Sequence, residues 1–173
     1  EPDPAAQVEA DSQMAARFAC TTQNGAVWNL ARIDQHDITL VDTQYTYSED
    51  AASIDIYIVD TGILLTHTEF GGRAIWGVNT IAMPNDDCNG HGTHTAGTVG
   101  STTYGVAKSV RLVAVRVLDC AGSGTTSSVI AGVDWVTQHS TRPAVANMSL
   151  GGSYTATLNP AVGHSIAPWV SSA

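Results

Sequence analysis

An aspartate and a histidine that stand 31 residues apart carry the clearest chemical signal in this sequence. Asp60 ends the apolar run at residues 56–59, and His91 stands between Gly90 and Gly92 at the start of a run of small residues. A carboxylate can fix the tautomer of an imidazole and stabilise its protonated form, which a histidine needs in order to act as a general base. We therefore interpret Asp60 and His91 as two parts of a charge-relay site, whose third part would be a nucleophile.

Each of these residues also has a simpler interpretation. A single aspartate at a strand end more often caps a turn or a helix, and a histidine at a helix start can be an ordinary polar residue. His91 and His94 have the spacing i, i+3 and could form a metal site together with Asp87. The glycines around His91 suit the approach of another chain better than a closed metal shell. The combined pattern is more specific than its parts, and it favours the charge relay.

Strands and helices must position these residues, and the hydrophobic pattern from Trp28 onward predicts both. Apolar runs rich in β-branched residues predict strands, which lie at 54–59, 74–78, 110–117 and 144–150. Helical spacing or small-residue composition predicts helices at 91–100, 127–139 and 158–167. This alternation predicts an α/β fold with three layers, in which helices flank a mostly parallel sheet. Functional groups in such folds gather beyond the carboxyl ends of the strands, where Asp60 lies.

Composition excludes several classes of function. The chain has 173 residues, of which 43% are hydrophobic, so one domain with a sizeable core is expected. Its formal net charge is -9, which argues against nucleic acid or an anionic membrane as a partner. No apolar run approaches the length of a membrane span. We expect a monomer, and the abundance of Ser, Thr and Gly suits a secreted protein.

Several further segments match one known family in order. They lie at residues 28–34, 58–63, 66–73, 89–100, 103–108, 115–120 and 146–152. Among them are Asp60-Thr61-Gly62 and His91-Gly92-Thr93-His94. Through these motifs the sequence resembles the subtilisin-like serine proteases, and within them the proteinase K and aqualysin branch. The resemblance implies a serine endopeptidase with an Asp-His-Ser triad, in which Asp60 and His91 are catalytic and His94 is structural.

The resemblance also implies a substrate site and a disulfide. Two extended segments would hold a peptide substrate between them: Gly122, Ser123 and Gly124 on one side, and Ser149, Leu150 and Gly151 on the other. Small residues let an extended peptide come close to exposed backbone, although each stretch alone would be an ordinary loop. Cys88 and Cys120 match cysteines that are bridged in the aqualysin branch. A bridge implies an oxidising compartment, which agrees with secretion.

Two further implications concern calcium and processing. A segment of polar residues resembles a calcium-binding loop of relatives: Asp34, Gln35, Asp42 and Gln44. Ala31 stands where those relatives have an aspartate, so a solvated polar loop is an equal alternative. Residues 1–21 resemble the end of a propeptide, which would be a binding partner of the enzyme until it is cut off near residues 20–22. Residues 22–173 would then be part of the peptidase domain.

The family nucleophile, a serine in a Gly-Thr-Ser-Met-Ala context, has no counterpart in these residues. We expect that the chain is the N-terminal part of the domain, that it stops before this serine, and that it is inactive by itself. Ser165 follows a weak elbow-like pattern, but it falls inside a predicted helix and comes after both partners in the chain. Ser149 belongs to the substrate segment. The alternative is a non-catalytic fragment that binds peptides or a propeptide.

Overall fold

The computed structural model describes residues 20–35, 43–141 and 143–166. Its strands are β1 (Thr21–Asn24), β2 (Gln44–Tyr47), β3 (Asp55–Asp60), β4 (Ala74–Asn79), β5 (Arg111–Arg116) and β6 (Ala144–Asn147). Its α-helices are α1 (Trp28–Ile33), α2 (His91–Gly100), α3 (Thr126–His139) and α4 (Leu158–Ile166), and a short 3-10 helix spans Thr68–Phe70. In the part of the chain so described, no helix is both long and apolar enough to cross a membrane.

Four strands form one parallel sheet in the order β4-β5-β3-β6. β3 lies at its centre and pairs with β5 on one side, where Asp60 is opposite Arg116, and with β6 on the other. Because all three pairings are parallel, the carboxyl ends of the strands point to the same edge. The α/β fold with a parallel sheet, predicted from the alternation of elements, is confirmed, and Asp60 lies at the edge where functional groups gather.

The sheet is buried on both faces, since alternate residues of each strand point to opposite sides. Ile56 and Ile58 pack with Leu112 and with Ala96 of α2 on one face. Their neighbours on β3, among them Val59, pack on the other face with residues of α3. Helix α4 lies against α3 on that second side. This gives the predicted three layers, and the apolar runs of β3 and β5 follow from burial on both faces.

A separate antiparallel pair, β1 with β2, stands apart from the main sheet. It packs with α1 around Ala26, Leu30 and Tyr45, which form a small core of their own. Neither the pair nor α1 was predicted as an element, because four to six residues carry too little periodicity. The expected boundary between residues 21 and 22 falls inside β1; residues 1–19 lie outside the described part, so the propeptide assignment stays a prediction.

The C-terminal strand is shorter than its sequence predicts. β6 ends at Asn147, whereas the apolar pattern extends to Leu150. Residues 148–150 leave the sheet and line a groove with Gly151. Within the described residues β6 pairs only with β3, and Val145 on it is 53% exposed. This edge of the sheet is therefore much less covered than its centre.

Candidate active site

Asp60 is held in one orientation by its own strand end. Its side chain is fully buried, and Oδ1 accepts a hydrogen bond of 2.7 Å from the amide of Thr61. The backbone carbonyl of Asp60 accepts from the amide of Val117 at 2.9 Å, which fastens the strand end to the residues after β5. A buried carboxylate is costly unless it is hydrogen-bonded, and the Thr61 amide and the partner described next supply such bonds to this side chain.

His91 is that partner. Its Nδ1 lies 2.8 Å from Oδ1 and 2.9 Å from Oδ2 of Asp60. A proton on Nδ1 donated to this carboxylate leaves Nε2 without one, so that Nε2 can accept a proton from a nucleophile. The His91 side chain is 48% exposed, whereas Asp60 is 0% exposed. A buried orienting carboxylate and a solvent-accessible imidazole are the arrangement that a general base requires.

Two glycines allow strand β3 and helix α2 to meet this closely. A Cβ added to Gly92, the second residue of α2, would lie 2.0 Å from the carbonyl oxygen of Gly62. Gly62 has a φ of +117°, and a Cβ there would lie 2.6 Å from the carbonyl oxygen of Asp86. Any larger residue at position 92 would push the helix away from the strand. The glycine next to His91 is therefore needed for the contact between His91 and Asp60.

Asp87 lies between β4 and α2, and its carboxylate accepts several hydrogen bonds. The donors are the hydroxyl of Thr61 and the amide of Gly90, together with the amide and hydroxyl of Thr93. Partial burial raises the pKa of Asp87, but these hydrogen bonds lower it by more, so that the pKa lies below its usual value. From the sequence Asp87 was considered only as a metal ligand. Within the described residues no group of three metal-ligating side chains is present.

The residues predicted to bind substrate line one open groove of about 860 Å³ together with His91. They are Gly122, Ser123, Gly124, Ser149, Leu150 and Gly151. Sequence reasoning missed other lining residues, among them Asn89, whose side-chain amide donates to the carbonyl of Cys120 at 3.0 Å. The two predicted segments are thus brought to the same cavity as the imidazole. Their role in binding substrate stays a prediction.

A disulfide joins Cys88 to Cys120, with Cα atoms 5.0 Å apart. It links the segment before α2 to the loop that carries Gly122, and the pairing is the one that the sequence resemblance implied. Beneath it lies Arg116, whose fully buried guanidinium donates to the carbonyl oxygens of Pro84 and Asp86, each at 2.6 Å. Arg116 was not singled out from the sequence, because a cation at the end of an apolar strand usually reaches solvent.

Of the polar loop predicted to bind calcium, the structure describes Asp34, Gln35 and Gln44. Oδ2 of Asp34 accepts from the amide of Thr46 at 2.6 Å, and the guanidinium of Arg32 donates to the carbonyl of Gln35 at 2.5 Å. Asp42 lies outside the described residues. A guanidinium on a carbonyl that would face Ca²⁺ opposes a cation there. Subtilases commonly bind structural calcium, and a calcium site in this loop stays a prediction.

No hydroxyl among the described residues forms a hydrogen bond with Nε2 of His91. The Ser149 hydroxyl accepts instead from the side-chain amide of Asn147 at 3.0 Å. Ser165 lies in α4 and lines a different cavity of about 240 Å³ against β6. The described part of the chain thus brings His91 and Asp60 together, as a base and its orienting carboxylate would be, without a hydroxyl in contact with Nε2.

Comparison with known proteins places this geometry in context. Residues 52–171 match the model of the subtilase family of peptidases. The chain is 55% identical to an extracellular serine proteinase of Thermus sp. (strain Rt41A) over 93% of its own length and 39% of that protein. It is 51% identical to a subtilisin-like protease of Coccidioides posadasii (strain C735), over 92% of this chain and 41% of the relative.

A solved structure agrees with the sequence relatives. A cold-adapted subtilisin-like serine proteinase superimposes with a TM-score of 0.80 at 50% identity, over 83% of this chain and 53% of that one. The present chain spans about two fifths of the length of the two curated relatives described above.

Proposed function

Because this chain belongs to the subtilase family, we propose that the protein from which it comes is a serine endopeptidase that cleaves peptide bonds by acyl transfer. The observation that carries the proposal is the double contact between Nδ1 of His91 and the buried carboxylate of Asp60. In the proposed reaction His91 removes the proton of a serine hydroxyl, and Asp60 holds the ring and stabilises the imidazolium that forms. His91 then gives the proton to the leaving amine.

The proposed nucleophile is a serine outside the 173 residues. Two observations support this. No described hydroxyl forms a hydrogen bond with Nε2 of His91, and the two curated relatives are more than twice as long as this chain. A base and an orienting carboxylate cannot form an acyl-enzyme without a nucleophile, so we expect negligible turnover from this chain alone.

The proposed substrate is an extended peptide or protein segment that lies in the groove beside His91. Gly122–Gly124 would form one wall and Ser149–Gly151 the other, and an extended peptide would add to both as a strand. A Cβ at Gly151 would meet no atom within 4 Å, so a peptide backbone has room to approach this wall. In the described part the lining contains no Lys, Arg, Asp or Glu, and backbone hydrogen bonds would dominate recognition.

We further propose that the protein is secreted, that it acts as a monomer, and that residues 1–21 are the end of its propeptide. The Cys88–Cys120 disulfide supports an oxidising compartment, and one relative carries the description extracellular. The propeptide would be an inhibitory partner before it is removed. Nucleic acid and membranes are not proposed as partners, since the net charge of -9 repels their phosphates.

A second candidate is a non-catalytic protein that binds peptides or a propeptide in the same groove. The observation that favours it is the formed groove without a described nucleophile. The two candidates differ in one measurable respect, because only the peptidase releases the leaving group of a chromogenic peptide.

The test is hydrolysis of a chromogenic peptide by the full-length protein, with and without a serine-directed inhibitor. We expect turnover that the inhibitor blocks and that His91→Ala abolishes. His164→Ala is the matched control, because His164 lies in α4 and does not line the groove. Turnover that survives in His91→Ala would contradict the proposed base. Peptide binding without turnover in the unmodified protein would favour the second candidate.

A further inference from the structure

Asp87 connects the two segments that carry Asp60 and His91. It lies four residues before His91 in the chain, in the loop that leads from β4 to α2. Oδ1 of Asp87 accepts from the Thr61 hydroxyl at 2.8 Å and from the Gly90 amide at 2.9 Å. Thr61 directly follows Asp60, and Gly90 directly precedes His91. One carboxylate oxygen therefore binds the neighbour of each member of the pair.

The other oxygen of Asp87 binds the first turn of α2. Oδ2 accepts from the amide of Thr93 at 2.8 Å and also from the Thr93 hydroxyl. That hydroxyl in turn accepts from the amide of Leu64 at 2.9 Å. Leu64 lies in the segment that continues from Asp60, so this second oxygen also joins the helix to the strand end.

A third link closes the connection. The Thr61 hydroxyl, while it donates to Asp87, accepts from the amide of Gly92 at 2.9 Å. Thr61 is fully buried, so an unpaired donor here would be costly. Asp87, Thr61 and Gly92 thus form a continuous hydrogen-bonded path from the end of β3 to the start of α2. An ordinary helix cap would bind the amides of Gly90 and Thr93, so capping explains only some of these hydrogen bonds.

We propose that Asp87 is a positioning residue that fixes the place of His91 against Asp60 through Thr61 and the first turn of α2. Its effect on turnover rests on the peptidase function proposed above. Without the carboxylate, its four hydrogen bonds from Thr61, Gly90 and Thr93 are lost, and the strand end and helix start can shift relative to each other. A displacement of about 1 Å at a catalytic group can lower the rate about 100-fold, so a small shift is enough to be measured.

The test uses Asp87→Asn, Thr61→Val and the double variant in the full-length protein. Asn keeps the shape of Asp but has one acceptor oxygen, and Val keeps the shape of Thr without its hydroxyl. Asp86→Asn is the matched control. It removes the same charge one residue earlier, where the exposed carboxylate accepts only from the amide of Asp87 at 2.8 Å. An amide oxygen can keep that bond.

We expect Asp87→Asn to lower kcat about 10- to 100-fold with KM changed less than about twofold. Thr61→Val should lower kcat in the same way, and the double variant should lose less than the product of the single losses, because both substitutions break one path. In NMR spectra the His91 Nδ1 proton should exchange faster with solvent in both single variants. Asp86→Asn should match the unmodified protein in all three measurements.

A purely structural cap would give a different result. In that case Asp87→Asn would lower the melting temperature, but kcat at a temperature where the variant is folded would not change, and neither would the exchange of the Nδ1 proton. This outcome would overturn the proposal. Equal effects of Asp86→Asn and Asp87→Asn would also overturn it. If the unmodified protein shows no turnover, the proposed peptidase function fails. The exchange of the Nδ1 proton then still decides whether Asp87 positions His91.

Discussion

The histidine side of the groove and the wall formed by Ser149–Gly151 are built in different ways. On the histidine side, Asp60 and Thr61 are fully buried, and both accept hydrogen bonds from α2, which join β3 to that helix. On the opposite side, Ser149 and Gly151 are exposed, and α4 behind them has no buried residue. The contacts that hold the histidine side all lie among residues that the structure describes. The Ser149 wall follows β6, which among the described residues pairs only with β3.

This difference indicates what each wall can do without further contacts. Asp60 and His91 are held in contact without a substrate, which is the preorganisation that the proposed catalysis needs. The Ser149 wall presents open backbone that a peptide strand, or more of the protein, could cover. Changes on the histidine side should therefore cost stability or rate, and equivalent changes on the other wall should be tolerated.

The largest expected effect is the loss of kcat on substitution of Asp60, one of two aspartates in β3. Asp60→Asn should lower kcat by about 10⁴-fold, the size known for the corresponding change in another triad protease, because His91 loses its tautomer. Asp55→Asn is the matched control at the other end of the strand, where Asp55 binds the guanidinium of Arg111. It should lower the melting temperature and leave kcat unchanged. Peptide hydrolysis by the two full-length variants measures this, and equal losses would contradict the distinction.

The disulfide should give the next largest effect, since it ties the histidine side to the Gly122 loop. Cys88→Ser opens a loop of 32 residues and should cost about 3–4 kcal/mol of unfolding free energy by the entropy of loop closure. Denaturant melts of the oxidised protein and the variant measure the loss. Reductant should lower the stability of the unmodified protein to that of the variant and should not change the variant. Equal stability before and after reduction would contradict the proposed tie.

Alanine substitutions at Gly92, which is buried behind His91, and at Gly151, which lines the groove, should differ in their effect on stability. Gly92→Ala should cost about 2–3 kcal/mol, because its Cβ would lie 2.0 Å from the carbonyl oxygen of Gly62. Gly151→Ala should change stability by less than about 0.5 kcal/mol, because its Cβ would meet open space. Paired denaturant melts test the difference. A costly Gly151→Ala would mean that this wall is packed more tightly than the described contacts show.

Acid should gradually lower the stability of the histidine side. The pKa of Asp87 is lowered in the folded protein, where burial opposes the shift and the hydrogen bonds from Thr93, Gly90 and Thr61 outweigh it. A lowered folded pKa gives stability that is fully present well above the unfolded value of about 3.9 and is lost as the pH falls through the folded pKa. Thermal melts from pH 7 downward should show that Asp87→Asn loses less stability in acid than the unmodified protein. Parallel curves for the two would contradict this.

The sequence predicts the strongly packed elements best. Helix α2 was predicted at residues 91–100, as observed, and β3 and β5 differ from their predicted bounds by one residue at each end. The two strands are buried by alternate residues on two faces, so their composition reflects their environment. The pattern of β6 continued to Leu150 although the strand ends at Asn147, because apolar residues serve a groove as well as a sheet.

Features that depend on distant contacts could not be predicted in this way. Asp87 acts between Thr61 and Thr93, and only the folded chain brings these residues to one carboxylate. The burial of Arg116 depends on carbonyls from the loop at Pro84. The pairing of β1 with β2 joins residues 20 to 26 positions apart through segments of four residues each. Asp60 and His91 are predicted from their residue types and positions, whereas the groove segments are predicted only because a known family carries the same motifs.

We propose that His91 and Asp60 supply the base and its orienting carboxylate, and that the nucleophile lies elsewhere in the protein. The most direct measurement is to label the full-length protein with a fluorophosphonate and to locate the modified serine by peptide mass spectrometry. We expect one labelled serine outside residues 1–173, and no label after His91→Ala. A label on any serine within residues 1–173, such as Ser149 or Ser165, would contradict the proposed position of the nucleophile.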